Sequence, residues 1–310
     1  MRIIKPKRLY KGDVIGICAP ASPVLSHDAL NTGISYIEQL GYRVYLAKNL
    51  YRKRGYLAGT DAQRANDLHE LFSNRHVKAI FAARGGFGTQ RLLPLLDYNL
   101  IKRNPKIVVG YSDITALQFA LLAKTGLVSL SGPLVIEMPL HGKPEEMFWR
   151  ALTSTKPLGT IHATDKPIFH HAGKRSLSAG RLIGGNLSLI SAILGSLYFP
   201  TLNNPIFFLE EIDERPYRVD RTLQHLKLSG IFHVTKGLIL GSFIDCILTK
   251  DKPSLTLQQV FKDLFSNASF PIASGFHYGH VSHSVSLPLG VRALINGKDN
   301  RIEILESLIS

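Results

Sequence analysis

The chain has 310 residues, of which 45% are hydrophobic and 19% charged, and its formal net charge is +14. This balance is typical of a globular protein with one large domain or two, and no apolar run approaches the roughly 20 residues that cross a bilayer. Lysine and arginine are spread along the whole chain. A nucleic-acid-binding protein usually carries a dense basic stripe instead, which leaves two explanations of the charge: an anionic small substrate, or a chain that is simply basic.

The expected location is the cytoplasm. Residues 1–8 are basic, but no apolar segment follows them before Asp13, so they do not form a secretory signal. The two cysteines, Cys18 and Cys246, are far apart and are expected to be free thiols in a reducing compartment.

Strand and helix patterns alternate through the first half of the chain. Short apolar runs predict strands at 14–18, 44–46, 77–83 and 107–109. Between and after them, periodic segments predict helices starting at Ser26, at Thr60 or Asp61, at Arg91 (to Leu96) and at Asp113 (to Lys124). This alternation predicts an α/β domain with a parallel sheet covered on both faces.

The pattern changes near residue 153. Residues 154–176 show little periodicity and are predicted to be a linker between an N-terminal domain, 1–153, and a C-terminal domain, 177–310. Strand signals dominate beyond the linker, so we expect a β-rich α+β domain. The predicted strands and helices are 207–209, 237–243 and a hairpin of 292–295 with 302–305, and 186–194, 217–228 and 255–265.

A serine stands where a buried strand gives way to a helix. Residues 110–115 read Gly-Tyr-Ser-Asp-Ile-Thr, and Ser112 there resembles a nucleophile elbow, although Ile114 replaces the second glycine of G-x-S-x-G. The alternative is that Ser112 or Asp113 only caps the helix. A glycine-rich segment, 84–88, follows another strand, and parallel strands place such loops at one edge of the sheet. Its amides can face a substrate oxyanion; it can also be a tight turn or, without the full motif, a phosphate loop.

The second half of the chain offers a base and an acid for such a serine. His277, His280 and His283 lie three residues apart, and one of them can be the general base. The same spacing suggests zinc, but Gly279 and a nearby proline disfavour a single helix, and no supporting metal motif is present. Three acids follow a predicted apolar strand, and spacing does not choose among them: Glu210, Glu211 and Asp213.

Taken in order, these segments resemble the LD-carboxypeptidase, or muramoyltetrapeptide carboxypeptidase, family almost end to end. Each motif alone is weak, whereas their order is specific. One residue, Glu211, stands where the family often has aspartate. The matching segments are 11–13, 19–22, 59–61 with Arg64, 84–88, 110–115, 184–187, 209–211, 216–217 with 220–221, and 279–280 with 287–290.

The resemblance implies a serine peptidase whose catalytic triad is assembled across the cleft between an α/β domain and a β-rich domain. It assigns the nucleophile to Ser112, the acid to Glu210 and the base to His280. It assigns the oxyanion hole to the backbone amides of Gly86 and Asp113.

The implied activity is release of terminal D-alanine from murein tetrapeptide in cell-wall recycling, without metal or other cofactor. The implied partner is a muropeptide, with neither nucleic acid nor membrane, and we also expect a homodimer. Two alternatives remain: a microcin-immunity-type serine peptidase of the same class, and a muropeptide-binding module that has lost catalysis.

Overall fold

The structure is a computed structural model that describes residues 2–161, 168–170, 176–201, 203–248 and 253–310. The first five strands of the chain are β1 Val14–Cys18, β2 Arg43–Leu46, β3 Val77–Ala82, β4 Ile107–Gly110 and β5 Ser129–Ser131. They are parallel neighbours in the first sheet, where they lie in the order β5-β4-β3-β1-β2. The helices of this half are α1 His27–Gln39, α2 Asp61–Ser73, α3 Tyr98–Arg103, α4 Ile114–Thr125 and α5 Gly142–Thr153, with 3₁₀ turns at Thr89–Leu95 and Val135–Glu137.

The second sheet carries parallel strands at its centre and antiparallel strands on both sides. The strands that follow in the chain are β6 Gly159–Thr160, β7 Ile168–His170, β8 Leu177–Asn186, β9 Pro205–Ile212, β10 Gly237–Ile244, β11 Ile272–Ser274, β12 Leu287–Leu289, β13 Arg292–Asn296 and β14 Arg301–Ile304. The helices are α6 Leu187–Ile193, α7 Pro216–Leu228, α8 Ile231–Val234 and α9 Leu257–Phe265. The sheet order is 6-14-13-8-9-10-11-7, without β12.

The predicted fold class is confirmed: a mostly parallel α/β sheet comes first and a β-rich sheet with helices follows. Local sequence explains the helix starts. The Ser26 side chain accepts from the amide of Ala29, and Thr60 and Gln63 form a reciprocal capping box at α2. All five residues of β1 are buried, as expected of a strand covered on both faces.

Two stretches differ in detail from the prediction. The helix predicted from Arg91 is a 3₁₀ turn that contains Pro94, which cannot donate the backbone hydrogen bond of a regular helix. Within the predicted linker, residues 162–167 and 171–175 lie outside the described residues. The described parts include β6 and β7, which pair with β14 and β11 of the second sheet.

One strand from the end of the chain belongs to the first sheet. Strand β12 pairs antiparallel with β5, Leu287 opposite Ser131 and Leu289 opposite Ser129. The loop that carries His280 comes just before β12, so this pairing brings the loop to the sheet whose strand β4 leads into Ser112. In the part of the chain described, no helix has the length and apolar character needed to cross a membrane.

Candidate active site

Ser112 occupies a strained turn between β4 and α4. Its φ angle is +62°, a left-handed conformation that costs a non-glycine residue about 1–2 kcal/mol. The turn is closed by the amide of Thr115, which donates to the Ser112 carbonyl over 3.0 Å. A Cβ atom at Gly85 would lie 3.0 Å from the Cβ of Ser112, so the glycine-rich loop approaches the serine as closely as its backbone allows. Such strain at a strand–helix turn is a mark of functional serines.

His280 joins this serine to a buried carboxylate. Its Nε2 atom lies 3.0 Å from the Oγ of Ser112, 168 residues away in the sequence. Its Nδ1 atom lies 2.7 Å from the Oε2 of Glu210, 70 residues away, and Glu210 is fully buried. With the Nδ1 proton shared with Glu210, Nε2 can accept the hydroxyl proton of Ser112.

The charge state of His280 follows from two opposed effects. Burial disfavours the imidazolium, but the hydrogen bond and negative charge of Glu210, with smaller contributions from Glu137 and Glu211, raise the pKa of His280 above its usual value. These partners stabilise the protonated ring, which is the form that a general base adopts after it has taken a proton.

The structure separates the three candidate acids. Successive residues of a strand point to opposite faces, so Glu211 faces away from His280. Its carboxylate accepts from the side chain of Asn186 over 2.8 Å and from the hydroxyl of Ser188 over 2.6 Å, at the start of α6. Asp213 is exposed, beyond the end of β9. Of the three, Glu210 is the acid that contacts His280.

The other two histidines of the cluster have different surroundings. The Nε2 of His277 lies 2.7 Å from the carbonyl oxygen of Ser282, within the same loop. His283 lines a cavity beside His280. Within the described ranges, no three His, Cys, Asp or Glu side chains are grouped closely enough to hold a metal ion.

The two amides expected to form an oxyanion hole lie on adjoining segments. Among the described residues, neither the Gly86 nor the Asp113 amide donates to a protein acceptor, so both are available to a ligand. Gly86 has φ +107°, and a Cβ there would lie 2.3 Å from the Oγ of Ser22. The Asp113 carboxylate accepts from the amide of Thr89 over 2.8 Å and thereby ties the glycine-rich loop to the serine turn.

An almost completely buried arginine, Arg64, holds the glycine-rich loop 84–88 in place. Arg64 of α2 donates through one terminal nitrogen to the carbonyl of Pro20 over 2.6 Å and to that of Gly88 over 3.0 Å. Its other terminal nitrogen pairs with Asp61. Arg64 therefore links the loop after β1 to the loop after β3, and the loop after β3 contacts Ser112 through Gly85.

A cavity of about 500 Å³ opens beside His280, a size suited to a small ligand. The hydroxyl of Tyr111 donates to the Oε1 of Glu137 over 2.5 Å, and the Tyr111 ring lies 4.9 Å from that of His280. Sequence analysis did not find Glu137, because no motif contains it. Tyr111 precedes Ser112 in the chain, but its contacts with Glu137 and His280 could not be predicted from that position. Residues lining the cavity include Tyr111, Gly132, Glu137, Tyr278, His280 and His283.

The chain is similar to known proteins over almost its whole length. Residues 15–132 match the LD-carboxypeptidase N-terminal domain, and residues 179–295 match the LD-carboxypeptidase C-terminal domain. A probable murein peptide carboxypeptidase of Bacillus subtilis is 37% identical, over 99% of this chain and 95% of its own length.

Two solved structures are similar throughout. The muramoyltetrapeptide carboxypeptidase of Oxalobacter formigenes has a TM-score of 0.80 and 30% identity, covering 94% of this chain and 97% of its own. The microcin C7 self-immunity protein MccF in complex with aspartyl sulfamoyl adenosine has a TM-score of 0.89 and 28% identity, covering 99% of this chain and 100% of its own. By both family domains and by its relatives, the chain belongs to the LD-carboxypeptidase family.

Proposed function

We propose that this protein is a serine LD-carboxypeptidase that releases terminal D-alanine from murein tetrapeptide. The observation that carries the proposal is the continuous chain from Ser112 Oγ through His280 to the buried carboxylate of Glu210. A serine held at φ +62° at the start of that chain is a nucleophile placed before the substrate arrives.

The proposed reaction is acyl transfer in two steps. Ser112 Oγ attacks the carbonyl carbon of the L,D-peptide bond while His280 Nε2 takes the hydroxyl proton. The amides of Gly86 and Asp113 stabilise the oxyanion. As the carbon–nitrogen bond breaks, His280 gives its proton to the leaving amine of D-alanine. Water then attacks the ester, His280 takes and returns one proton, and Ser112 is regenerated with the free tripeptide acid.

The Bacillus subtilis relative supports the substrate assignment, since it is named a probable murein peptide carboxypeptidase and is 37% identical to this chain. The +14 net charge suits a ligand with several carboxylates. A second candidate is an aminoacyl-nucleotide substrate, because the TM-score is higher for the MccF complex, 0.89, than for the Oxalobacter enzyme, 0.80.

Location and assembly belong to the same proposal. Cys18 and Cys246 are buried and unpaired, which suits a reducing cytoplasm where imported wall fragments would be the substrate. The predicted homodimer and the domain limits 1–153 and 177–310 stay predictions. Sedimentation equilibrium tests the first, and limited proteolysis tests the second.

Mass spectrometry of the cleavage products, including released D-alanine, tests the proposed substrate. The protein is incubated in parallel with free murein tetrapeptide, cross-linked murein, an all-L tetrapeptide and aspartyl sulfamoyl adenosine. We expect efficient cleavage of the free tetrapeptide alone, and none by Ser112→Ala. Cleavage of aspartyl sulfamoyl adenosine in preference would favour the nucleotide candidate, and efficient cleavage of the all-L peptide would overturn the L,D assignment.

A further inference from the structure

A second carboxylate reaches the surroundings of His280 through Tyr111. The Oε1 of Glu137 accepts from the Tyr111 hydroxyl over 2.5 Å, and its Oε2 accepts from the amide of Leu134 over 2.9 Å. Both carboxylate oxygens are thus fixed. The Tyr111 ring lies against His280, with centroids 4.9 Å apart, so the pair forms one wall of the catalytic cavity.

The charges around His280 come from different elements. Glu210 of β9 is bonded directly to the ring, and Glu211 of the same strand acts from a greater distance, tied to α6. Glu137 acts from the 3₁₀ turn after β5. Burial raises the pKa values of Tyr111 and Tyr278 and keeps these phenols neutral. The remaining titratable residue in the cavity lining is His283.

In the part of the chain that the structure describes, no neighbouring lysine or arginine cancels the charge of Glu137. Among the described residues, Glu137 forms no ion pair with lysine or arginine, and the residues that line the cavity include neither. Charge interactions are stronger where protein replaces water, so an uncompensated carboxylate in this cavity acts on a neighbouring imidazolium.

We propose that Glu137 is a positioning residue for His280, which stabilises the imidazolium formed during acyl transfer and, through Tyr111, holds the ring in line with Ser112. The inference rests on the proposed role of His280 as general base. Glu210 supplies a directional bond to Nδ1, whereas Glu137 supplies a second negative charge and a fixed aromatic wall.

The electrostatic relation is mutual. The negative charge of Glu137 contributes to raising the pKa of His280. Burial raises the pKa of Glu137 itself, and a charged His280 works against that rise. Each charge therefore favours the other, which is the arrangement needed in a transition state where the histidine is protonated.

The test is an NMR titration of His280 in the Ser112→Ala background, which needs no substrate. Addition of Glu137→Gln should lower the titration midpoint of His280, and Glu137→Asp, which keeps the charge, should restore much of it. The matched control is Glu145→Gln, because the Tyr36 hydroxyl donates to Glu145 over the same 2.5 Å distance, but on α5. That control should leave the midpoint unchanged.

In the active protein, Glu137→Gln should lower kcat by roughly 3- to 30-fold with little change in KM, and move the acidic limb of kcat/KM to lower pH. A merely structural role would not move that limb. Where Glu137→Gln fails to fold, judged by circular dichroism, Glu137→Met removes the charge in its place.

Superimposable titrations of His280 with and without the Glu137 charge would overturn the inference, and so would an equal shift from Glu145→Gln. Failure of the proposed function is read separately. If the wild-type protein does not cleave murein tetrapeptide but the midpoint still moves, the substrate assignment fails and the relation between Glu137 and His280 stands.

Discussion

Gly279 packs directly against Glu210. A Cβ atom at position 279 would lie 2.8 Å from both the Cβ and the Oε2 of Glu210, and the φ angle of Gly279 is +118°. The backbone before His280 can therefore reach the carboxylate only without a side chain at this position.

Gly279→Ala should displace His280 from Glu210 and lower turnover by about 100-fold or more, since small displacements of catalytic groups have effects of this size. Gly275→Ala is the matched control. It also has a positive φ, +68°, but nothing lies within 4 Å of a Cβ there, so turnover should be close to that of wild type. Steady-state kinetics on both variants tests this prediction. An equal loss of turnover in the two variants would show that loop strain, and not the contact of Gly279 with Glu210, lowers activity.

Ser112→Ala should lower turnover by about 10⁴-fold or more while the protein keeps its fold, because the proposed nucleophile is lost and the backbone is unchanged. Ser112→Gly should be equally inactive. Its melting temperature should not fall. Glycine removes the strain of the left-handed φ of +62°, about 1–2 kcal/mol, and this gain exceeds the entropy that the more flexible glycine loses on folding. Retained turnover in either variant would remove Ser112 from the mechanism.

Glu210→Gln and Glu211→Gln should have opposite signatures. Glu210→Gln should lower kcat by about 10³- to 10⁴-fold, because the orienting carboxylate of His280 is lost. Its stability should change little, since the buried Oε1 of Glu210 has no partner among the described residues.

Glu211→Gln should instead lower stability by about 2 kcal/mol, because an amide nitrogen would face the amide and hydroxyl donors of Ser188. Its kcat should fall much less than that of Glu210→Gln. Thermal unfolding and kinetics on the two variants are the measurements. A severe catalytic loss in Glu211→Gln beside an active Glu210→Gln would reverse the assignment of the acid.

The pH dependence of kcat/KM should show an acidic limb above pH 6.5, the usual pKa of histidine, because Glu210 raises the pKa of His280 and only the neutral ring is a base. In Glu210→Gln the limb of the residual activity should move downwards, since burial then acts with less opposition. A wild-type limb centred below 6.5 would contradict the raised pKa.

The contribution of His280 to the free energy of unfolding should fall as pH rises, whereas kcat/KM should rise. A histidine whose pKa is higher in the folded state stabilises the protein fully below its unfolded pKa, and that contribution is lost as pH rises through the folded pKa. Denaturant titrations of wild type and His280→Ala across this range should therefore converge as the pH rises.

The sequence by itself determined the local structure. Apolar runs of three to seven residues and capping residues such as Ser26 and Thr60 were sufficient to predict the alternation of strands and helices, and hence a parallel sheet. The serine at a strand–helix junction was also visible, because the turn is encoded by consecutive residues. The strain at Ser112 was not visible, since nothing in a six-residue pattern reports the sign of φ.

The partners of Ser112 were decided by the tertiary structure. Spacing in the chain left Glu210, Glu211 and Asp213 equivalent, and only the family resemblance chose among them. The register of β9 brings Glu210 to His280 and turns Glu211 towards α6. Pairing of β12 with β5 brings the histidine loop across to the first sheet. Contacts over 70 and 168 residues depend on how sheets pack and which strands pair, and short-range patterns carry no record of either.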